Sequence, residues 1–584
     1  MEMNGAELII HLLARQGIRI IAGIPGGANL PLYDALSHYG KIRHILARHE
    51  QGAGFIAQGM ARTTGLPQVC FATSGPGVTN LATAIADAKL DSVPVICITG
   101  QVPNAMIGTD AFQEVDTFGL SIPITKHNYL VRSANELLRI IPEAFRIAIS
   151  NRPGPVLIDV PKDVQLQTVE FQQWPEPGRP DPPPVFDPGN VVRAAEIITA
   201  AKKPILYVGG GVLRSEASGP AVALAEKATI PMAMTLMGLG VIHADHPLSL
   251  GMLGMHAARH TNLALEMCDV LIAAGVRFDD RATGQLEAFC PKAKVVHIDI
   301  DPCEMHKLRR ANVGIIGDAA EVLTALIPMV PKNDRIDWHA KIDNLKKRFS
   351  LASISEQNPL SATGLIKCAA RHLSAEAIIV TDVGQHQMWT AQAYPFQRPR
   401  QFLTSGGLGT MGFGVPAAIG AALANPDLTV VCFTGDGSVM MNIQEMATAV
   451  EENVNLKIVL INNNALGLVR QQQDLFYRGQ IYASEFRCRV DFIKIANGFG
   501  MRTVDLSTIC DDAGKVMARE FNRKGPCLIH APIDKNEMVL PMVPPGAANM
   551  GMIDKPPHDF DHTQVRSLEP SMTVPAINEG VHSV

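Results

Sequence analysis

Short apolar runs rich in valine and isoleucine alternate with alanine-rich helical stretches along most of the chain. Examples of these runs are PQVCFATSGPG, PVICITGQ, KPILYVGGG, DVLIAAGVRF, KVVHIDID, AIIVTDVG and TVVCFTGDG. Runs this uniformly apolar are typical of parallel strands that helices cover on both faces. The pattern predicts an α/β fold of doubly wound parallel sheets, in which ligands bind at the carboxyl ends of the strands, where the glycines fall.

Composition divides the 584 residues into three segments. The stretch WPEPGRPDPPPVFDPG, residues 174 to 189, can be neither helix nor central strand because prolines crowd it. A softer boundary lies near residues 340 to 362, where a charged helix gives way to polar sequence. We predict domains at 1–170, 190–345 and 360–550, a proline-rich linker at 171–189, and a polar, disordered tail at 554–584.

Charge and cysteine usage exclude several classes of protein. Lys and Arg total 51 against 56 Asp and Glu, without long blocks of one sign, which argues against a nucleic-acid or anionic-membrane surface. The ten cysteines form no C-x-x-C pair, which indicates reduced thiols in a cytoplasmic protein. The start resembles neither a signal nor a transit peptide. The uncharged stretch 401–426 predicts a Gly-rich loop leading into a helix rather than a membrane span.

Two polar breaks end successive apolar runs in the third segment. One run ends at Gly435, Asp436 and Gly437, and the next ends at three asparagines, 462–464. Parallel neighbours would bring Asp436 and an asparagine together as hard oxygen ligands for Mg²⁺. The glycines let phosphate oxygens approach the backbone, and a helix predicted over 438–451 turns its N-terminus to the same place. The alternative, from composition alone, is a tight turn followed by an Asn-rich loop.

The spacing of GDG and NN resembles the thiamine diphosphate signature, and longer motifs narrow the resemblance. These motifs are HEQGAGFIAQGMAR, TSGPGVTNL, GTDAFQE, RPGPVLIDVPKDV, GMLGMH, RFDDR, DVGQHQMWTAQ and TSGGLGTMGFG. Over about residues 4 to 550 the chain is similar to the large catalytic subunits of the acetohydroxyacid synthase (acetolactate synthase) family. The resemblance implies decarboxylation of pyruvate and transfer of the two-carbon unit to pyruvate or 2-ketobutyrate, in branched-chain amino acid biosynthesis. It implies thiamine diphosphate, Mg²⁺ and FAD as cofactors.

The resemblance also implies roles for individual residues. Glu50 is the expected cofactor-activating glutamate, which must share a proton with the pyrimidine ring and therefore needs shelter from water. Around the reacting centre we expect Gly27, Phe112, Gln113, Lys162 and Met411, with Lys162 attracting a 2-keto acid anion and Met411 under the bent cofactor. Further expected cofactor contacts are Val383, Gly384, Gln385, His386, Gly409, Gly435, Gly437 and Ser438. The expected metal site is Asp436, Asn463 and Ala465.

The middle segment resembles the family's FAD domain. The RFDDR motif places Arg277 and Arg281 at a strand end, where they can meet diphosphate or ring oxygens. Asp299, which closes VVHIDID, is placed like an acid that binds a ribose. The full set of expected FAD contacts is Arg152, Gly210, Gly211, Thr235, His256, Gly275, Arg277, Arg281, Asp299 and Asp318.

One position departs from the family pattern. Gln472 stands where the family usually has a tryptophan that favours 2-ketobutyrate by contact with its extra methyl group. One methylene in an apolar pocket is worth about 1–3 kcal/mol, so we expect weaker selectivity for 2-ketobutyrate. The resemblance further implies a homodimer or tetramer with shared active sites, Glu50 coming from one subunit and Asp436 from the other. It also implies a separate small regulatory subunit.

Three alternatives stay open at this point. Glyoxylate carboligase carries an apolar residue in place of Glu50, and catabolic acetolactate synthase lacks an RFDDR-type flavin segment; this chain has both features. The third alternative is a non-catalytic dinucleotide-binding or scaffold protein with the same α/β texture. It would not need Asp436, Asn463 and Glu50 together.

Overall fold

The computed structural model describes residues 1–349, 351, 360–508 and 512–555. It contains three domains, each built on a six-stranded sheet of parallel strands flanked by helices, so the predicted α/β class is confirmed. The predicted tail lies outside the described residues from residue 556 onward, and so do residue 350 and residues 352–359 of the softer boundary. Short 3₁₀ turns join many of the elements.

The first domain contains an antiparallel ribbon and the first sheet. Its strands are β1 (Glu2–Asn4), β2 (Ile20–Gly23), β3 (Arg43–Leu46), β4 (Gln68–Ala72), β5 (Val95–Gln101), β6 (His127–Leu130), β7 (Val156–Pro161) and β8 (Thr168–Glu170). Its helices are α1 (Gly5–Arg15), α2 (Leu30–Tyr39), α3 (Glu50–Thr64), α4 (Pro76–Leu90), α5 (Thr117–Ser121), α6 (Leu137–Ile149) and α7 (Lys162–Leu166). β1 pairs with β8, and the sheet has the order β3-β2-β4-β5-β7-β6.

The middle domain follows residues 171–187, which form no helix or strand; helix α8 then begins inside the predicted linker. The strands are β9 (Pro204–Val208), β10 (Met232–Met234), β11 (Ser249–Met252), β12 (Val270–Ala274), β13 (Lys294–Asp299) and β14 (Val313–Ile316). The helices are α8 (Pro188–Ala200), α9 (Gly210–Arg214), α10 (Ser218–Ala228), α11 (Arg259–Met267), α12 (Asp280–Thr283), α13 (Ala319–Met329) and α14 (Ile336–Arg348). The order β11-β10-β9-β12-β13-β14 is that of dinucleotide-binding sheets.

The third domain repeats the strand order of the first. Its strands are β15 (Ile378–Thr381), β16 (Phe402–Leu403), β17 (Val430–Gly435), β18 (Leu456–Asn462), β19 (Arg502–Asp505) and β20 (Cys527–Pro532), in the order β16-β15-β17-β18-β20-β19. Its helices are α15 (Ala362–His372), α16 (Gln385–Ala393), α17 (Gly414–Ala424), α18 (Asp436–Val439), α19 (Glu445–Glu451), α20 (Gly467–Phe476), α21 (Phe492–Gly498) and α22 (Ala513–Asn522). The Gly-rich loop before α17 agrees with the prediction. Among the described residues, no helix is long and apolar enough to cross a membrane.

The single helix predicted over residues 438–451 is wrong. The chain forms the short helix α18, then turns, and resumes as α19 at Glu445. Asn442 lies in the turn, where its side chain donates to Gly412 O at 2.8 Å and to Gln51 Oε1 at 3.2 Å. These bonds tie the turn between α18 and α19 to the loop of Gly412 and to helix α3.

Helices α3 and α17 join the first and third domains by backbone contact. A Cβ on Gly59 would lie 2.0 Å from Ala417 O, and a Cβ on Gly420 would lie 2.0 Å from Ile56 O, so both positions exclude larger residues. One apolar core runs through this crossing and includes helices and strands of both domains. The N-terminus of α3, with Glu50, is thereby fixed against the third domain.

Candidate active site

The two polar breaks of the third domain meet at the edge of its sheet. β17 pairs with β18 in parallel, and the backbone N–H of Ala465 donates to Asp436 Oδ2 at 3.0 Å. Asp436 is 4% exposed, and this burial raises the pKa of its carboxyl to about 6. Asn463 donates its amide N–H to Gln385 Oε1 at 2.9 Å, which turns its amide oxygen away from that contact.

The donor set at this edge fits a hard cation. It combines one carboxylate with amide and backbone oxygens, which are ligands that Mg²⁺ accepts. In the part of the chain that the structure describes, no group of three or more His, Cys, Asp or Glu side chains could hold a metal. A cation at Asp436 would therefore depend on the neutral oxygens of residues such as Asn463.

The turn after β15 packs against the turn after β17, at the point where the strand order reverses. Ser438 Oγ donates to Val383 O at 2.8 Å. A Cβ on Gly435 would lie 2.8 Å from His386 Nδ1, so only glycine allows this contact. Burial lowers the pKa of His386 to about 3, which keeps the imidazole neutral. Its Nε2 is buried without a hydrogen-bond partner among the described residues, and such an atom is suited to a ligand.

A chain of buried amides stands behind Asn463. Gln385 donates through Nε2 to Gln471 Oε1 and to Glu537 O, both at 2.9 Å. Gln471 in turn bonds the backbone N–H and C=O of Val539 at 2.8 and 2.9 Å. No sequence pattern marks Gln471, because nothing in a run of three glutamines distinguishes the buried one.

The C-terminal end of the loop that carries Gly409 and Met411 is hydrogen-bonded to the side chain of Asp382. A Cβ on Gly437 would lie 3.6 Å from Met411 Cε, so Met411 lies over the GDG turn. The carboxylate of Asp382 accepts from the N–H groups of Val383, Gly412 and Gly414 at 2.9, 2.8 and 3.1 Å. Asp382 was also missed, although it closes an apolar strand in the same way as Asp436 and could have been found by that signal.

Glu50 begins α3, directly after its N-cap His49. The side chain is 9% exposed and accepts from Asn80 Nδ2 at 3.0 Å. The backbone N–H groups of Arg48 and His49 donate to Glu445 Oε1 at 2.9 and 3.0 Å, which ties this end of the helix to α19. The shelter that the sequence predicted for Glu50 is present.

The other residues expected at the reacting centre lie at the ends of the first sheet's strands. A Cβ on Gly75 would lie 2.7 Å from Gln113 O, so the loop of Gln113 packs against the TSGPG turn. A Cβ on Gly27 would meet no atom within 4 Å, and Phe112 is 86% exposed. Lys162 is half-buried at the start of α7. Within one chain, Phe112 therefore lacks the surroundings of a buried site.

A buried carboxylate supports the strand that precedes Lys162. Asp159 accepts from Thr99 Oγ1 at 2.6 Å and from Gln101 Nε2 at 3.0 Å. Gln101 also donates to Val115 O at 3.0 Å, so it connects Asp159 to the loop that follows Gln113. Burial raises the pKa of Asp159 to about 7.

The strand order of the middle domain reverses between β9 and β12, which places a crevice at the carboxyl ends of these strands, beside the glycines. β9 and β12 are neighbours, and a Cβ on Gly211 would lie 2.5 Å from Gly275 Cα. A Cβ on Gly210 would lie 3.4 Å from Met237 Cβ. Thr235 Oγ1 is buried without a partner among the described residues. A glycine-lined crevice at a switch point with an unpaired hydroxyl fits a dinucleotide.

The charged residues expected to bind FAD have mixed surroundings. Burial raises the pKa of Asp299 to about 6, and this carboxylate accepts from Asp301 N–H at 2.9 Å. Arg152 bonds Asp301 and Glu304 at 3.0 and 2.8 Å, and Asp318 caps α13 by accepting from two backbone N–H groups.

The remaining expected FAD residues differ in their burial and contacts. Burial lowers the pKa of His256 to about 4, and its Nδ1 lies 3.4 Å from Pro541 O. Arg277 is half-buried, whereas Arg281 is exposed. The contacts of these residues with FAD stay predictions.

Gln472 lies on α20 between two glutamines that are held in place. Gln471 is 1% exposed with its bonds to Val539, and Gln473 bonds Tyr482 and Ser484. Gln472 is half-buried, and its side chain makes no hydrogen bond with any described residue. Its side chain is therefore free to meet a ligand.

Comparison with known proteins gives matches along nearly the whole chain. Residues 3–120, 191–326 and 382–531 match the N-terminal, central and C-terminal domains of thiamine pyrophosphate enzymes. The chain is 58% identical to acetolactate synthase isozyme 1 large subunit of Escherichia coli, over 94% of this chain and 97% of that protein. It is 47% identical to the isozyme 2 large subunit of the same organism, over 95% and 100%. It is 45% identical to acetolactate synthase of Mycobacterium leprae, over 94% and 90%.

Proposed function

Because the chain belongs to the thiamine pyrophosphate enzymes, and within them to the acetolactate synthase large subunits, we propose that it is an acetolactate synthase. It would decarboxylate pyruvate and join the two-carbon unit to a second pyruvate, giving 2-acetolactate, or to 2-ketobutyrate, giving 2-aceto-2-hydroxybutyrate. The observation that carries the proposal is the meeting of Asp436, Ala465 and Asn463 at the carboxyl ends of β17 and β18.

The third domain would hold the diphosphate and Mg²⁺. Asp436, Asn463 and Ala465 would bind the cation, and the turns that carry Gly437 and Ser438 would face the phosphates. The unpaired Nε2 of His386 is available to the same ligand. Thiamine diphosphate, when bound, supplies the electron sink that decarboxylation requires, so no protein nucleophile is needed.

The first domain would supply the proton chemistry and attract the substrate. Glu50 would hold a proton at its carboxylate oxygen and share it with the pyrimidine ring, which its burial and its bond from Asn80 support. Lys162 would attract the 2-keto acid carboxylate, with Gln113 and Phe112 lining its approach. Gln472 would contact the second substrate, where an amide in place of an indole lowers apolar contact with 2-ketobutyrate.

The middle domain would hold FAD. The crevice at Gly209–Gly211 and Gly275 would receive the diphosphate, the unpaired Thr235 hydroxyl could bond it, and Asp299 would bind a ribose. The expected domain boundaries, 1–170, 190–345 and 360–550, remain part of this proposal. They agree with one six-stranded sheet in each range.

A second copy of the chain would complete the active site. Phe112, Phe118, Leu120 and Ile122 form an exposed apolar stretch beside the expected substrate approach, which favours burial against another subunit. Glu50 of one copy would then face Asp436 of the other. Sedimentation and an activity assay at the same protein concentration test this arrangement. A chain that sediments as a monomer and is fully active would contradict it.

A small regulatory subunit and a cytoplasmic location complete the proposal. The relatives from Escherichia coli are called large subunits, which supports a separate small subunit here. The nine described cysteines are free thiols, most of them buried, as is usual in the cytoplasm.

Product identity separates this function from its rivals. The purified chain with thiamine diphosphate and Mg²⁺ is given either pyruvate or glyoxylate, and the products are identified by mass spectrometry. We expect acetolactate from pyruvate and little product from glyoxylate, because Glu50 is present and buried. Efficient condensation of glyoxylate alone would instead favour glyoxylate carboligase, and no product from either acid would favour a non-catalytic protein.

A further inference from the structure

A buried cluster of charges joins the first domain to the loop that carries Met411. Arg62 on α3, Asp87 on α4 and Asp91 just after α4 have side chains that are 6%, 0% and 1% exposed. Arg62 Nη2 donates to Asp87 Oδ2 at 3.1 Å and to Asp91 Oδ2 at 2.9 Å. One guanidinium thus donates to two buried carboxylates and leaves one negative charge uncompensated. Burying that charge costs free energy unless further hydrogen-bond donors contact the carboxylates.

The further donors come from the Met411 loop, residues 404–412. Asp91 accepts from the backbone N–H of Gly406 at 3.0 Å through Oδ2 and of Gly407 at 2.7 Å through Oδ1. Arg62 donates through Nη1 to Thr404 O at 2.9 Å. The backbone of the first half of the loop is therefore held by side chains of another domain.

Asp87 fixes the second half of the same loop. Its Oδ1 accepts from the hydroxyls of Ser405 and Thr410, the latter at 3.1 Å. Ser405 Oγ accepts in turn from Thr410 N–H at 2.8 Å, which closes the loop on itself. Burial and the neighbouring Asp91 raise the pKa of Asp87 to about 6, so the cluster holds this carboxylate at a cost in stability.

The loop is held at its other end by Asp382, through Gly412 and Gly414. Met411 lies between the two anchors and over the GDG turn. We propose that Arg62, Asp87 and Asp91 are positioning residues, which set the conformation of the Met411 loop and thereby the affinity for thiamine diphosphate. This inference rests on the proposed function, because the place of Met411 under the cofactor belongs to that function.

Asp91 gives the sharpest test of this role. The Asp91 carboxylate accepts hydrogen bonds from three donors: Arg62 and the backbone N–H groups of Gly406 and Gly407. Asp91→Asn keeps the shape but points an NH₂ group at one of these donors, so the loop must move. The matched control is Glu520→Gln, which alters another buried carboxylate, 4% exposed and bonded to Arg502, at the opposite edge of the third sheet.

The measurement is the dissociation constant of thiamine diphosphate at saturating Mg²⁺, by titration calorimetry on the full chain, together with the melting temperature and the kinetics. We expect Asp91→Asn to raise this constant about tenfold or more and to lower kcat, with KM for pyruvate changed less than about twofold. Glu520→Gln should lose a similar amount of thermal stability with the cofactor affinity unchanged.

If Asp91→Asn does not fold, Thr410→Val tests the same positioning role by a milder change at a half-buried residue. It removes one hydroxyl from Asp87 and should raise the same constant about two- to fivefold. The inference would be overturned if the folded variants bound thiamine diphosphate with wild-type affinity, or if Glu520→Gln lost as much cofactor affinity as they did. Either result would leave the proposed function standing. A wild-type chain that binds no thiamine diphosphate would overturn the proposed function and the inference together.

Discussion

The backbone N–H of Ala465 donates a 3.0 Å hydrogen bond to Oδ2 of Asp436, across the ends of two neighbouring strands. This bond joins the GDG turn to the asparagine-rich turn, which are separated in the sequence by helices α18 and α19 and by strand β18. The carboxylate is therefore oriented by the protein backbone itself. Orientation before binding is what a cation site with few charged ligands needs.

Replacement of Asp436 by alanine should abolish Mg²⁺-dependent cofactor binding. Loss of a residue that only supports a metal ligand typically costs 10- to 100-fold in metal affinity, so loss of the Asp436 carboxylate itself should cost about 100-fold or more. Titration of thiamine diphosphate at fixed Mg²⁺ measures this, with the exposed Asp427→Asn as control. Cofactor binding by Asp436→Ala at wild-type strength would place the cation elsewhere.

Glu50→Gln should separate cofactor binding from catalysis. The glutamine keeps the size of the side chain and can still accept from Asn80, so the fold and the binding of thiamine diphosphate should persist. It cannot exchange a proton, and positioned acid–base groups contribute about 10²- to 10⁴-fold in rate. We expect kcat to fall by that amount with affinity for the cofactor changed little. Full activity of the variant would show that Glu50 does not supply the proton chemistry.

Gln472→Trp should shift the choice of second substrate toward 2-ketobutyrate. Contact with the extra methyl group is worth about 1–3 kcal/mol, or roughly 10- to 200-fold in selectivity. The change should cost little stability, because the side chain of Gln472 is half-buried and makes no hydrogen bond among the described residues. The ratio of the two products from mixed keto acids measures the effect, and Gln472→Leu tests whether apolar character alone suffices. A strong preference for 2-ketobutyrate in the wild type would refute the prediction.

Most of the sheet architecture followed from the apolar runs, because a strand buried on both faces leaves a clear compositional signal. The runs that end at Gly435 and at Gly275 both form strands, and both strands lie at a switch point of their sheets. Strand order does not follow from such runs. That the first and third domains share one order, and the middle domain has another, became evident only from the paired strands.

Site residues were predictable where a polar side chain interrupts an apolar run. They were not predictable where a residue matters through its contacts with distant parts of the chain. Asp436 interrupts an apolar run, which makes it visible. Gln471 and Asp91 act through partners that are distant in the sequence, such as Gln385 and Gly407, so no local pattern reveals them. The break between α18 and α19 lies at Asn442, whose side chain bonds two distant segments, and the local sequence does not reveal these contacts either.

Asp159→Asn should change how stability depends on pH. Burial raises the pKa of Asp159 to about 7 in the folded state, against about 3.9 when unfolded. Its contribution to stability is therefore complete below about pH 4 and is lost as pH rises to about 7, on the order of 2–4 kcal/mol. Asparagine can donate to Thr99 and accept from Gln101, as the protonated acid does. The melting temperature of the variant relative to wild type should thus rise from pH 5 to pH 8, and a constant difference would contradict the assignment.

Product formation from pyruvate alone separates an acetolactate synthase from its rivals. The purified chain is freed of cofactors and assayed with thiamine diphosphate and Mg²⁺, with and without added FAD. We expect acetolactate to form only when all three are present. Acetolactate formed without any requirement for FAD would favour the catabolic enzyme, and no acetolactate under any condition would contradict the account.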